Sequence, residues 1–220
     1  MASWLMILWV GKWTKQLTEL IGLNKSYTTT IDFSLLTDTR DASFREQETR
    51  FEIIKTDTIS LKRDNQLIPA PSLTTIKNKL NEILYNKDKE TFLPLPTFSA
   101  KKQNGRRRYK DARKGVACEE QKIMKIFSYE ILSYNFPLLQ IHFSVWSWTY
   151  IRSIGYRLWK ELWLGWALIQ LERTSIWKYQ LQSIGTTSFA TWNIKGQERI
   201  IYYQETELDA IKETLHSNTD

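Results

Sequence analysis

"KIMKIFSYEILSYNFPLLQIHFSV" (Lys122–Val145) decides the fold class. On the far side of "NFP", Leu139, Ile141, Phe143 and Val145 alternate with Gln140, His142 and Ser144. Period-two patterning marks a strand with one buried face, and Asn-Phe-Pro supplies a turn. The stretch predicts two antiparallel strands, Lys122–Tyr134 and Leu138–Val145. The period then changes, and Thr149–Leu162 reads as a helix. Upstream, Ser72 is placed to cap a helix from Leu73 to about Leu84, with Leu73, Ile76, Leu80, Ile83 and Leu84 on one apolar face. Ser26–Leu36 is β-branched and alternating, hence a strand, and Phe51–Ile54 is a second, short one. Thr37–Thr49 is polar and reads as a loop, and residues 56–71 as a connector. At the ends of the chain, Trp4–Val10 reads as a buried strand and Thr14–Ile21 as a short helix. Short strands are expected between Ala167 and Tyr203, then a closing helix over Glu205–Leu215. Strands and helices mix without regular βαβ alternation, which predicts an α+β fold.

Composition narrows the function classes. The 220 residues carry a net charge of +7, which favours a polyanionic partner. Cys118 is the single cysteine, so no internal disulfide can form, and its neighbours Glu119 and Glu120 disfavour a reactive thiolate. With His142 and His216 far apart in sequence, no metal site is expected. The apolar run Trp4–Val10 has no basic segment before it and is too short to span a bilayer. A cytoplasmic protein without a membrane role is expected.

The densest charge signal is the block Lys101, Lys102, Arg106, Arg107, Arg108, Lys110, Arg113 and Lys114, opposed by Asp111 alone. Tyr109 lies within it and Phe98 beside it. Cations that track phosphates, with aromatics available for stacking, suit RNA. The plainer reading is a solvated basic loop, whose like charges would repel without a partner. Arg152 is also oddly placed, because the start of a helix disfavours a cation. A partner carboxylate would explain it; simple exposure is the alternative.

Four segments together resemble one family. "NKSYTTTIDFSLLTDTRDASF" is similar to the Lys-x-Tyr and Thr-Asp-Thr-x-Asp segment of TruB-type tRNA pseudouridine synthases. "TFSAKKQNGRRRYKDARKG" resembles their Ser-Ala-x-Lys-x-x-Gly-x-Arg-x-Tyr-x-x-Ala-Arg-x-Gly block. "TYIRSIGYRLWKEL" resembles their Gly-Thr-Tyr-Ile-Arg motif, and "LIQLERTSIWKY" their Leu-x-Arg-Thr segment. The motifs occur in the family's order over most of the chain.

The resemblance implies a pseudouridine synthase fold, a mixed and mainly antiparallel sheet flanked by helices. It implies isomerisation of uridine 55 in the TΨC loop of tRNA, with the base flipped into a pocket. An aspartate is the nucleophile, and no metal or organic cofactor takes part. Tyr27 matches the tyrosine that stacks on the target base. Arg152 matches the arginine that pairs with the catalytic aspartate and holds it ionised. Tyr150 matches the tyrosine packed beside them. Residues 101–114 match part of a thumb-like element, at about 94–117, that grips the T-arm of a tRNA. Asp38 and Asp41 match an acidic loop with a structural part to play. The expected organisation is a partial catalytic domain over 1–174, a short C-terminal region over 175–220, and a monomer.

Two departures qualify this. The family's Gly-x-Leu-Asp-Pro loop, which carries the nucleophile, has no counterpart, and the match starts at Met1 as if just after it. The chain as given is therefore expected to lack its first elements and to be inactive, with Asp32, Asp38 and Asp41 not expected to reach Arg152. The alternative is a non-catalytic RNA-binding protein; a membrane-surface protein using its tryptophans is a third reading. Second, the chain has ten tryptophans and eight glycines. Trp4, Trp148 and Trp177 fall where the family has glycine. Trp9, Trp13, Trp146, Trp159, Trp163 and Trp166 lie in glycine-like contexts, and Trp192 has no placement. Some bacterial lineages read UGA as glycine, and a common alternative code reads it as tryptophan. Most of these tryptophans are thus expected to stand for glycine, and as indoles to be exposed or strained.

Overall fold

A computed structural model describes residues 2–7, 21–42, 48–84, 90–96, 102–103, 106–107, 120–181, 189–194 and 197–202. The chain divides into two compact units, Met1–Lys178 and Tyr179–Asp220. The first contains β1 (Ala2–Trp4), β2 (Lys25–Asp32), β3 (Leu35–Asp41), β4 (Glu48–Arg50), β5 (Glu52–Lys55), β6 (Ile59–Arg63) and β7 (Gln66–Pro69). It continues with α1 (Leu73–Leu84), β8 (Glu90–Pro94), β9 (Lys102–Gln103), β10 (Arg106–Arg107), β11 (Gln121–Asn135), β12 (Leu138–Val145), α2 (Ile151–Leu162) and β13 (Trp166–Ile176). The second unit contains β14 (Tyr179–Gln180) and a hairpin of β15 (Phe189–Ile194) with β16 (Gln197–Tyr202).

The main sheet runs β4-β3-β13-β2-β12-β11-β8, with β1 added parallel to β13. Its pairs are mostly antiparallel; β3 and β1 are parallel to β13. The fold is α+β, as expected. β2 is central, bonded along its length to β12 on one side and β13 on the other. β11 and β12 form the antiparallel pair read from the sequence, joined through Phe136 and Pro137. Their inward residues Met124, Ile126, Leu139, Ile141, Phe143 and Val145 are fully buried. They share one hydrophobic cluster with Ile76, Leu80, Ile83 and Leu84 of α1 and with Ile151, Ile154 and Leu158 of α2. Ser72 caps α1 as its position suggested: its Oγ accepts from the Thr75 N–H at 3.0 Å. Leu73, expected on the buried face, is exposed.

Several expectations are corrected. The strand over Ser26–Leu36 is two strands. The Asp32 carboxylate accepts from the Ser34 N–H at 2.8 Å and from its hydroxyl at 2.6 Å, closing an Asx-type turn through Phe33. The chain thereby leaves β2 and re-enters the sheet beyond β13. The polar segment after Leu36 is not a loop to Thr49, because β3 continues to Asp41. Its inward positions are Leu35, Thr37 and Thr39, all buried, so buried threonines hid the alternation. The connector over 56–71 holds β6 and β7, a hairpin within a three-stranded sheet β5-β6-β7. Its two-residue loop, Asp64–Asn65, has φ of 49° and 62°, the positive values of a type I′ turn. The N-terminal strand covers Ala2–Trp4 and has ended by Leu5, which is buried, with Met6 exposed after it; residues 8–10 lie outside the described residues. Among the later strands, β13 is long rather than short. The helix over Glu205–Leu215 and residues 14–20 of the N-terminal helix lie outside the described residues.

The tryptophans divide. Trp163 and Trp177 hold the left-handed backbone, at φ 57° and 51°, where glycine is favoured. Trp148 and Trp163 are exposed. Trp166 does the opposite of what was expected: it is 1 % exposed, among the largest side chains fully inside the core.

Candidate functional site

Arg152 sits in the first turn of α2, where the exposed N–H groups make a cation unwelcome. The fold compensates from β3. Arg152 Nη1 donates to the Thr39 carbonyl at 3.2 Å, and the Asp41 carboxylate lies close enough to favour its charged form. Burial nevertheless pulls its pKa below the ordinary guanidinium value, with Asp41 and Tyr150 opposing. The direct contact of Arg152 is thus with the Thr39 carbonyl, and the Asp41 charge favours the cation from the same strand. Asp32 points elsewhere, into its own turn and toward Arg50 at 3.8 Å. The side chain of Asp38 lies outside the described residues.

Tyr150 caps α2 with extended backbone, φ −99° and ψ 113°, and the Ser153 N–H donates to its carbonyl at 2.9 Å. Thr149 is tied to the β11 backbone through Lys125, at 3.1 Å from its hydroxyl. The helix thus begins at Ile151, two residues later than its periodicity suggested. This fixed entry places Tyr150 and Arg152 together at one end of α2.

Tyr27 is buried on β2, opposite Phe143 on β12 and Arg173 on β13. Burial pushes its phenol pKa up, while the nearby Arg173 charge and a hydrogen bond to Arg173 pull it back. Arg173 is itself anchored, donating Nε to the Leu5 carbonyl at 2.7 Å. Lys25, two residues before Tyr27, donates to the Leu23 carbonyl and to Ser147 Oγ, both at 2.8 Å. Ser147 in turn donates to the Ile21 carbonyl. Burial, and then the Arg173 charge, lower the Lys25 pKa to about 8.

The expected trio is therefore divided between two supports. Tyr150 and Arg152 are held by β3 and β11, and Tyr27 by Arg173. Along β13, Asp41 pairs opposite Leu168 and Tyr27 opposite Arg173, positions about 17 Å apart at the usual strand rise. Arg173 and Arg40 were not singled out in the sequence, although Arg173 lies in the quoted Leu-x-Arg-Thr segment. Of the basic block, Lys102, Arg106 and Arg107 belong to the β9–β10 hairpin. Lys101, Arg108, Tyr109, Lys110, Arg113 and Lys114 lie outside the described residues. Among the described residues no group of three or more His, Cys, Asp or Glu could hold a metal, and no helix is long and apolar enough to cross a membrane.

Comparison with known proteins finds one family. Residues 54–151 match the model of the TruB family pseudouridylate synthase N-terminal domain. The chain is 30% identical over 182 residues to a tRNA pseudouridine synthase B of Opitutus terrae, covering 82% of this chain and 67% of the relative. It is 29% identical to that of Caldicellulosiruptor saccharolyticus, over 86% of this chain and 58% of the relative. For that of Aquifex aeolicus the identity is 32%, over 80% and 55%. The chain thus spans a little over half the length of the last two. Among solved structures, a Cbf5-Nop10-Gar1 complex shares the fold, with a TM-score of 0.51 and 15% identity over 82% of this chain and 38% of that one.

Proposed function

Because the chain belongs to the TruB family of pseudouridylate synthases, we propose that it is the tRNA-binding and base-handling part of an enzyme that converts uridine 55 of the TΨC loop to pseudouridine. The reaction breaks the N1–C1′ glycosidic bond, rotates the base and joins C5 to C1′. The proton on C5 leaves and N1 gains one. Tyr27 would stack on the flipped base. Arg152 would hold the nucleophilic carboxylate ionised, with Tyr150 packed alongside. The basic segment at about 94–117 would grip the T-arm phosphates.

The observation that carries this reading is Arg152, a half-buried cation at a helix start whose guanidinium is aimed by the Thr39 carbonyl, with the Asp41 charge favouring it. A cation held there against the helix dipole and against burial suits a site that receives a second carboxylate. The two acidic side chains described near β2 and β3 are engaged, Asp32 in its turn and Asp41 with Arg152. The 220 residues by themselves are therefore proposed to bind the T-arm without converting it.

The experiment uses a T-arm stem-loop carrying uridine tritiated at C5. Filter binding should give a salt-dependent Kd that weakens when Lys102, Arg106 and Arg107 become Glu. Tritium release should stay at background for the chain as given. Binding that ignores those substitutions sinks the thumb assignment. Release of tritium overturns the proposed inactivity and sends the search for a nucleophile back to Asp41.

A further inference from the structure

Arg40 occupies the variable position of the Thr-Asp-Thr-x-Asp segment, and neither its motif nor its charge gives it a part in the reaction. Its geometry does. It follows Thr39, whose carbonyl accepts from Arg152, and its backbone lies in the left-handed region at φ 61°. An ordinary residue avoids that region. In a regular strand the Thr39 carbonyl would lie in the sheet plane for a neighbouring strand. The turn at Arg40 lets it accept from Arg152 instead. The same turn leaves Asp41 on the Arg152 side.

The Arg40 side chain completes the arrangement. Its Cζ stands 3.6 Å from the centre of the Tyr156 ring, a close stack of guanidinium on phenol. Tyr156 follows Arg152 by four residues on α2, so the two project from the same side of the helix. The β3 end therefore grips α2 twice, one turn apart. The grip is held against opposing terms. The Arg152 charge repels Arg40, and burial lowers the Arg40 pKa to about 10. Arg40 Nη1 is buried with no hydrogen-bond acceptor among the described residues. An arginine with only a solubilising role would turn outward.

We propose that Arg40 is a positioning residue: its left-handed turn and its stack on Tyr156 hold the Thr39 carbonyl on Arg152 and so fix the direction of the Arg152 guanidinium. The inference rests on the reading that Arg152 is the functional arginine, but its test involves no RNA and stands apart from that reading.

The test is the Arg152 Nε–H signal in the 15N spectrum of the full chain, assigned by its loss in Arg152→Lys. Tyr156→Phe keeps the aromatic face but loses the phenol interaction with Arg40, so it should move the signal and its hydrogen exchange less than Tyr156→Leu does. Tyr156→Leu removes the stack, and Arg40→Gly keeps the turn without the side chain. Each should shift the signal and speed its exchange roughly tenfold or more, while amides of β11 and β12 keep their protection. An unshifted signal in Tyr156→Leu and Arg40→Gly overturns the proposal. So does exchange that accelerates equally at Arg152 and across β11 and β12, which would mean general loosening.

Discussion

Gly155 and Trp166 are matched across the contact of α2 with β13. A Cβ on Gly155 would stand 2.2 Å from Cζ3 of the indole and 2.5 Å from Cε3. No real side chain tolerates that spacing, and the indole is locked in the core. Glycine in a helix interior normally costs about 1 kcal/mol against alanine. Here the sign reverses: Gly155→Ala should lose about 1–3 kcal/mol through overpacking. Trp166→Leu opens the space, so the double variant should lose less than the two single losses summed. Urea unfolding of the four proteins measures this coupling.

The left-handed tryptophans give a second prediction. A non-glycine residue in that conformation costs about 1–2 kcal/mol. Trp163→Gly and Trp177→Gly should each raise the unfolding midpoint. At Trp163 the gain is partly offset, because Arg63 lies 5.1 Å over its ring. Trp166→Gly, by contrast, should cost at least about 3–5 kcal/mol, the usual loss on truncating a buried indole. Stabilisation in all three would mean that Trp166 too stands for glycine; UGG codons at these positions would remove the recoding reading altogether.

Lys25 supplies a pH dependence. Its folded pKa lies near 8 against an ordinary 10.5. The unfolded chain therefore binds more protons between those values, and stability rises with pH across that window. Below pH 8 the cost of holding the ammonium partly buried is present in full. Lys25→Met escapes that cost at neutral pH, although it also abandons the Leu23 carbonyl and Ser147. Its stability should also lack the rise between about pH 8 and 10.5. Parallel pH-stability curves for the two proteins would refute the assignment.

Arg152 and Asp41 should be energetically coupled. A double-mutant cycle with Arg152→Met and Asp41→Asn should show an interaction of at least about 0.5 kcal/mol in urea unfolding. Each single variant strands a partner. The Arg152 change also leaves the Thr39 carbonyl without its donor. Additive losses would mean that the carboxylate acts only at long range.

How much of this was legible turns on what each residue shows to a pattern. The β11–β12 pair and the cap and apolar stripe of α1 are local and periodic, and the sequence carries them openly. The break after Asp32 is made by its carboxylate accepting from the Ser34 N–H, and a β-branched run conceals it. The β6–β7 turn did leave a signal, since Asp64–Asn65 is a pair suited to a type I′ loop. In the site, motif resemblance found Tyr27, Tyr150 and Arg152, each fixed to a short segment. The partners of these residues lie across the sheet. Thr39 meets Arg152 from 113 positions away, and Arg173 meets Tyr27 from 146 (173 − 27). No spacing along the chain displays such contacts.

The central place of β2 sets a timetable for synthesis. Both of its hydrogen-bonding edges are filled by strands that end at Val145 and Ile176. A ribosome working at about 5–20 residues per second makes residue 176 roughly 7 to 30 s after residue 32. Until Val145 is made, Lys25–Asp32 is a nascent strand with both edges unsatisfied, and until Ile176 one edge stays open. Such a segment invites pairing with other chains. A cell making this protein must either shield this strand or keep few ribosomes on the same message.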